Sequence, residues 1–519
     1  MLSLDRRAPA RSRLLVGGAI GVTVLVALLV RFAFINQISG DYRTFVGPWY
    51  DQLKAGGFTA LGAGFSNYNP PYLGLLAAVT YLPVSKIIAI KGISMVFDVL
   101  LAMFAALIVR ERFPRPALPM LTFAVVLFAP TVVVNSAAWG QCDSVYGAFC
   151  LGSLYFLISR RPWWACVFFA LGLSFKLQAI FFLPVLLIVM VVNKQRLGAL
   201  LAVPAVFAVM LLPALLAGRD LSSLLAIYPN QISGSGTGQA GAGGFGTGPG
   251  GAAGTAAGGG QRGQGQGFGV ASDSLTLNAP TFYQWISSGA STAWKYLGLA
   301  AAVLVAAVGA LAWLRRRPLS AAHIVILATT LVLAVPFLLP QMHERYFYLA
   351  DVLTIVMAMY VRRFWPVAIV VSLCSLLSYA PFLWNTTPVA LPLVAFGEFL
   401  AVIATIWVFF GVFRNPNQEG GLLRSGVRPE RGIQLISQCN GGGTLRPFGK
   451  GERRDFDGHV RERPGASSAG LTVRIPPRCP TPLTPGQRPR RTPAPQSARR
   501  WCRSACQAPG RAGWAEDRL

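Results

Sequence analysis

The sequence predicts an all-α polytopic integral membrane protein with about twelve transmembrane helices. Of its 519 residues, 54% are hydrophobic and 13% charged, and the mean hydropathy is +0.52. Apolar runs long enough to span a bilayer recur as far as Arg414 and then stop. A soluble chain does not carry this composition. Lys plus Arg number 46 against 19 Asp plus Glu, a formal charge of +27. In a soluble chain that balance would suggest nucleic acid. In a membrane chain basic residues mark cytoplasmic loops, and no nucleic-acid partner is expected. The eight cysteines stand singly, without a CxxC pair, which argues against a disulfide framework or a zinc module.

A hydrocarbon core of about 30 Å takes about 20 apolar residues per helix. The first run, Leu14 to Ile35, follows Arg6, Arg7, Arg11 and Arg13. The N-terminus is therefore read as cytoplasmic, and the run as a retained anchor, too long for a signal peptide and without a small-residue cleavage site. Tyr72 to Val109 admits two short spans, or one span preceded by an interfacial helix. The basic loop Arg110 to Arg115 should be cytoplasmic, which selects Lys86 to Val109 as the second span. Pro70 to Pro83 is left as a re-entrant or surface helix. Further spans are expected at about 117–137, 144–159, 162–175, 179–193, 197–217, 293–313, 319–339, 347–361, 364–383 and 388–412. Basic clusters at Arg160 and Arg161, Lys194 and Arg196, Arg315 to Arg317, Arg362 and Arg363, and Arg414 fall at the ends this alternation assigns to the cytoplasm. The expected setting is the plasma (inner) membrane, with both termini cytoplasmic.

Residues 1–413 thus make one membrane domain. Within it Gly234 to Gly269 is a Gly/Ala/Ser/Gln tract with almost no charge, expected to be a disordered outer loop because it has no apolar surface to bury. Residues 414–519 hold 20 Lys plus Arg and 8 Asp plus Glu and read as a disordered basic cytoplasmic tail. That tail is either a segment for anionic lipid or RNA or an extension without a role.

The outward face collects most of the unusual polar residues. Asp41 opens the first outer loop, and the segment Phe45 to Leu53 has the aromatics of an amphipathic helix lying at the interface. A carboxylate held there is suited to be a base, although it could equally cap the helix. Four further groups follow: Tyr68-Asn69-Pro70-Pro71-Tyr72, Trp139-Gly140-Gln141-Cys142-Asp143-Ser144, Phe175-Lys176-Leu177-Gln178, and Gln341-Met342-His343-Glu344-Arg345-Tyr346-Phe347. Lys176, His343 and Arg345 can donate to a phosphate, and Trp139 and Tyr346 offer flat surfaces to a sugar ring or an isoprenoid. Each also has a plainer role open to it. Lys176 could snorkel, Glu344 and Arg345 could form a surface ion pair, and Trp139 could be an interfacial anchor.

This series resembles the polytopic C-type glycosyltransferase superfamily, and within it the bacterial relatives of GPI mannosyltransferase II and of the dolichyl-phosphate-sugar glycosyltransferases. The likeness covers roughly residues 10 to 413, without the Gly-rich tract. It implies an inverting enzyme with amphipathic helices in its first outer loop. Such an enzyme takes one sugar, mannose favoured, from a polyprenyl-phosphate donor to a glycan, lipid or protein acceptor on the outer face. Asp41 matches the family's first-loop base. Lys176 with Gln178, and His343 with Glu344, Arg345 and Tyr346, match the donor phosphate and sugar side. Tyr68, Asn69, Trp139, Gln141 and Asp143 are candidate sugar or acceptor contacts. Asn69 departs from the simpler Tyr-Pro-Pro of relatives. No cofactor is expected, and a divalent ion shared by Asp41 and Asp143 is open but not favoured. The alternative is a multi-span transporter or flippase of a lipid-linked or small solute.

Overall fold

The computed structural model describes residues 10–233, 275–286, 292–314 and 318–414. The Gly-rich tract, the tail beyond Arg414 and the Arg315–Arg317 cluster lie outside the described residues. Two two-residue strands apart, the regular elements among the described residues are helices, and the chain is an all-α polytopic membrane protein.

The first helix, α1 (Ala10–Phe32), is 23 residues long and mostly exposed; Ala27 and Arg31 are its buried contacts. The first loop then folds into a π-helical turn (Tyr42–Val46), α2 (Gly47–Gly56), a 3-10 turn (Gly57–Gly62) and α3 (Pro70–Val79). Amphipathicity explains their position. Trp49, Tyr50 and Leu53 of α2 are buried while Asp51, Gln52 and Lys54 face outward. The buried set joins Leu61, Tyr72 and Leu76 in an apolar cluster against Ile90, Val145 and Phe175. At 10 residues α3 rises about 15 Å, too little to cross, whereas α4 (Lys86–Arg112) runs for 27. The reading of one span preceded by a non-crossing helix fits this pair.

The run 117–137 is not one straight span. It breaks into α5 (Ala117–Leu127), α6 (Pro130–Val133) and a π-helical turn (Val134–Trp139), bent by 47°. Pro130 lacks an amide hydrogen and disfavours helical backbone at the residue before it, which ends α5. The carbonyl freed at Leu127 accepts from Arg31 Nη2 at 2.9 Å.

Next come α7 (Asp143–Ile158), α8 (Pro162–Phe175), α9 (Leu183–Val192), α10 (Ala202–Leu216), α11 (Leu221–Leu225) and α12 (Ile227–Ser233). The last group is α13 (Thr292–Leu314), α14 (Ala321–Leu338), α15 (Tyr348–Tyr360), α16 (Trp365–Trp384) and α17 (Leu391–Arg414). At Gly152 of α7 a Cβ would meet the Phe168 ring of α8 at 2.3 Å, so the absence of a side chain lets these two helices approach closely.

Among the described residues seven helices are long and apolar enough to cross a membrane, and the bent pair makes eight. The expected twelve included runs that became α7, α8, α9 and α15, of 16, 14, 10 and 13 residues. Such helices rise only about 15–24 Å. One of them is enclosed along its whole length: every residue of α15 is buried. Helices sheathed by protein can end at membrane depth where their polar ends line a cavity.

One end of the bundle gathers the basic loops. The Arg112 guanidinium lies over the Phe113 and Tyr360 rings, Tyr360 OH donates to Ile108 O, and Asn193 bonds the Leu319 backbone through both its side-chain oxygen and nitrogen. The other end holds the four polar motifs.

Candidate active site

Asp41 lies just beyond α1. Ser39 fixes its loop, donating through Oγ to Trp139 O at 2.7 Å and accepting from Tyr42 N. Asp41 precedes the π-helical turn, but its side chain makes no capping bond, so the capping role does not hold. Its Oδ2 instead accepts from Trp139 Nε1 at 3.0 Å, from Gln141 Nε2, and from Arg345 Nη1 at 3.5 Å. Among the described residues Oδ1 accepts no such bond, and Asp41 lines an open pocket. One oxygen is anchored and the other remains for chemistry.

Trp139 and Gln141 come from the second π-helical turn. Short π segments recur at functional sites because they re-aim side chains. Here Gly140 closes the turn at φ 76°, a left-handed conformation that favours glycine. Ser94 Oγ of α4 holds Gln141 O at 2.6 Å. The Gln141 side-chain oxygen faces Tyr68 OH at 3.4 Å and Lys176 Nζ at 3.5 Å.

Lys176 follows α8 in extended backbone. Its Nζ bonds Asp143 Oδ1 at 2.5 Å and lies 5.5 Å from the Tyr68 ring centroid, and Asn135 Nδ2 holds the other Asp143 oxygen at 2.8 Å. Lys176 is buried, so it does not snorkel. Its pairing with Asp143 leaves ammonium protons to spare.

The 341–347 segment is held from outside the bundle. Thr276–Leu277 pairs in parallel with Met342–His343, and Gln341 N donates to Leu275 O at 2.7 Å. A 3-10 turn then spans Glu344–Phe347. Arg345 Nη1 sits between Asp41 Oδ2 at 3.5 Å and Glu344 Oε1 at 3.3 Å, with its guanidinium over the Trp139 indole. Glu344 is fully buried, so this is no surface ion pair. Burial pushes its carboxyl up to about 7, against the opposing pull of Arg345. The His343 and Tyr346 rings lie 5.2 Å apart.

Asp41, Tyr68, Asn69, Gln141, Lys176, Gln178, His343, Arg345 and Tyr346 all line one open pocket. Trp139, Asp143 and Glu344 do not line it and act from behind, each on a residue that does. Trp139 is wholly buried, its ring 5.0 Å from Phe382 and 5.2 Å from Tyr379, so it is not an interfacial anchor. Asp51, the next carboxylate of the first loop, pairs with Lys86 at 2.6 Å on the exposed surface. Among the described residues no three His, Cys, Asp or Glu side chains are grouped to hold a metal ion. Asp41 and Asp143, considered as a shared divalent site, each engage nitrogen donors of their own.

The pocket wall also contains Phe45, Trp49, Asn67, Tyr228 and Gln231. Tyr228 and Gln231 sit on α12, in a stretch the sequence suggested was only loop. Gln231 Nε2 donates to Asn67 O at 2.5 Å. The signal for them was faint: Ile227-Tyr228-Pro229-Asn230-Gln231 is a short aromatic and amide cluster beside a low-complexity tract.

No curated protein matches the chain. Residues 65–237 match the sequence model of glycosyltransferase family 87. The matched stretch contains Tyr68, Asn69, Trp139, Gln141, Asp143, Lys176, Gln178 and Tyr228, while Asp41 and the 341–347 segment lie outside it. This match supports the likeness to the C-type glycosyltransferase superfamily and indicates a membrane glycosyltransferase.

Proposed function

We propose that the protein moves one sugar, mannose favoured, from a polyprenyl-phosphate donor to an acceptor hydroxyl on the outer face of the membrane, with inversion. The observation that carries this reading is the meeting of Asp41 with Lys176, His343 and Arg345 around one pocket, from segments more than three hundred residues apart at the extremes. A sugar phosphate already has a good leaving group. The protein therefore needs a base for the incoming hydroxyl and cations for the departing phosphate.

The anchored carboxylate suits the first task. Trp139, Gln141 and Arg345 all address Oδ2, which leaves Oδ1 to take the acceptor proton as the acceptor oxygen attacks the anomeric carbon. The bond from that carbon to the phosphate oxygen breaks, and the electron pair leaves with the phosphate. Lys176, His343 and Arg345 bind that phosphate. Arg345 stands farther from Asp41 than an ordinary hydrogen bond, which frees it to turn toward a phosphate. Gln178 and Tyr346 meet the sugar on the donor side, and Tyr68 and Asn69 meet it on the side of the first loop.

The test is to incubate membranes bearing the protein with radiolabelled polyprenyl-phosphate mannose, then with the glucose analogue, and to identify the labelled product. Transfer with inversion at the anomeric carbon is the expected result. Labelled donor recovered intact from the opposite leaflet, with no new glycosidic bond, would instead mark a flippase.

A further inference from the structure

We propose that Lys91 is a positioning residue for the transfer step, clamping the loop that carries Asp41 to the loop that carries Trp139 and Gln141. The role in transfer rests on the reading just given; the clamp itself does not. Lys91 lies one turn inside α4 and is fully buried. Among the described residues it has no carboxylate within ion-pair distance. Its Nζ is surrounded by backbone carbonyls of two segments instead: Ile35 O at 2.9 Å and Gln37 O at 2.6 Å after α1, and Ala137 O at 2.6 Å in the π-helical turn. Phe34 O and Ala138 O stand slightly farther away.

An ammonium has three protons, and three carbonyls lie within 2.9 Å. Ala137 O lies near the C-terminal end of the π-helical turn, and Ile35 O and Gln37 O lie where the chain leaves α1; backbone oxygens at such ends lack helical partners. Lys91 therefore satisfies both ends at once. The consequence is geometric: Asp41 lies four residues past Gln37, and Trp139 and Gln141 lie two and four past Ala137. The spacing between the base and the two donors that anchor its Oδ2 is thus set by this nitrogen together with the direct Ser39 Oγ to Trp139 O bond. The Lys91 chain runs beside Gly140, where a Cβ would meet it in ordinary contact at 3.5 Å. Two other residues on the same stripe of α4 grip the second segment as well. Ser94 bonds Gln141 O, and Asp98 accepts from Ser136 Oγ at 2.6 Å, at the i+3 and i+7 positions of one helix face. Lys91 is distinct in holding both loops.

The experiment uses the full chain in membranes, with Lys91→Met and Lys91→Arg each made alone and with Asp41→Asn. The first readout needs no sugar: the rate at which a small maleimide modifies buried Cys142, read from the mass of its peptide. Lys91→Met is expected to raise that rate about tenfold by local opening, and Lys91→Arg to raise it less. The second is steady-state transfer. Lys91→Met should lower kcat about tenfold or more with donor KM within about twofold, Lys91→Arg should recover part of the loss, and neither should slow Asp41→Asn further. If Lys91→Met does not insert, Lys91→Arg carries the same comparison, because a guanidinium fork cannot aim three donors at that point. Unchanged Cys142 labelling overturns the clamp. An equal loss of kcat with and without Asp41 overturns the link to the base. A chain that transfers no sugar with both residues intact refutes the transferase reading and this role with it, whatever the labelling shows.

Discussion

Two aspartate–arginine pairs occupy the same bundle and differ in almost everything but composition. Asp98 of α4 meets Arg31 Nε at 2.9 Å, with both side chains at most 1% exposed. The remaining Arg31 nitrogens are taken by Ala27 O and Leu127 O, and Ser136 donates to the same Asp98 oxygen. Asp41 meets Arg345 at 3.5 Å in a pocket wall, with side chains 9% and 12% exposed, and Arg345 divides itself with Glu344. The first pair is short and sealed, with every nitrogen of its guanidinium engaged, so it serves the fold. The second is long, shared and open on one oxygen, so it is available to a substrate. Distance and access to a pocket, not residue type, separate a structural ion pair from a reactive one.

The largest effect should come from the sealed pair. Asp98→Ala strands a buried guanidinium, an error worth about 3–5 kcal/mol, and should show as a lowered unfolding temperature in detergent and a lower level in membranes. Next, Asp41→Asn should slow transfer by about a hundredfold or more while donor affinity changes little, since the proton moves only in the transition state. Its unfolding temperature should match that of the parent, and a loss of stability like that of Asp98→Ala would erase the contrast between the pairs. Lys176→Ala and His343→Ala remove partners of the donor phosphate present before and during reaction. Each should weaken donor binding by about tenfold as well as slow transfer, measured in the same membranes.

The fourth prediction concerns Glu344. Its folded-state pKa of about 7 lies above the usual carboxylate range because of burial, so the folded state holds the proton more tightly than the unfolded chain does. Stability contributed by this group is therefore present at low pH and is lost as pH rises through about 7. Unfolding temperatures at pH 5 and pH 8 should differ in the parent and converge in Glu344→Gln. The smallest effect is expected at Asp51, whose bond to Lys86 is exposed. Asp51→Asn should cost less than about 1 kcal/mol and leave transfer within about twofold.

Much of this was legible in the sequence, because charge and apolar length are visible without tertiary structure. The long helices α1, α4, α13 and α17 follow from long, predominantly apolar runs. The motifs around Asp41, Gln141, Lys176 and His343 were placed on one face by counting crossings alone. What escaped was geometry that depends on neighbours. The break at Pro130 was readable as a proline, but its 47° bend and the Arg31 cap on Leu127 needed a partner helix. Asp143 looked like a sugar contact because its distance from Lys176 in space is not a sequence property. Lys91 looked like a break in an apolar run, and only the carbonyls around it reveal its use. The tie between Thr276–Leu277 and Met342–His343 is two residues long, too short to leave a pattern.

That tie has a consequence for how the gene can vary. On one side of the Gly-rich tract, Gln231 is fastened to Asn67; on the other, residues 275–278 are fastened to 341–343. Each border is thus secured within its own half of the chain, and the halves meet through a shared apolar core and the Asn193–Leu319 bonds. A cut or an insertion anywhere in 234–274 interrupts none of these contacts. Two separately encoded polypeptides meeting at that boundary would therefore keep every contact described, and co-expressing 1–233 with 275–519 should recover an assembled protein in membranes.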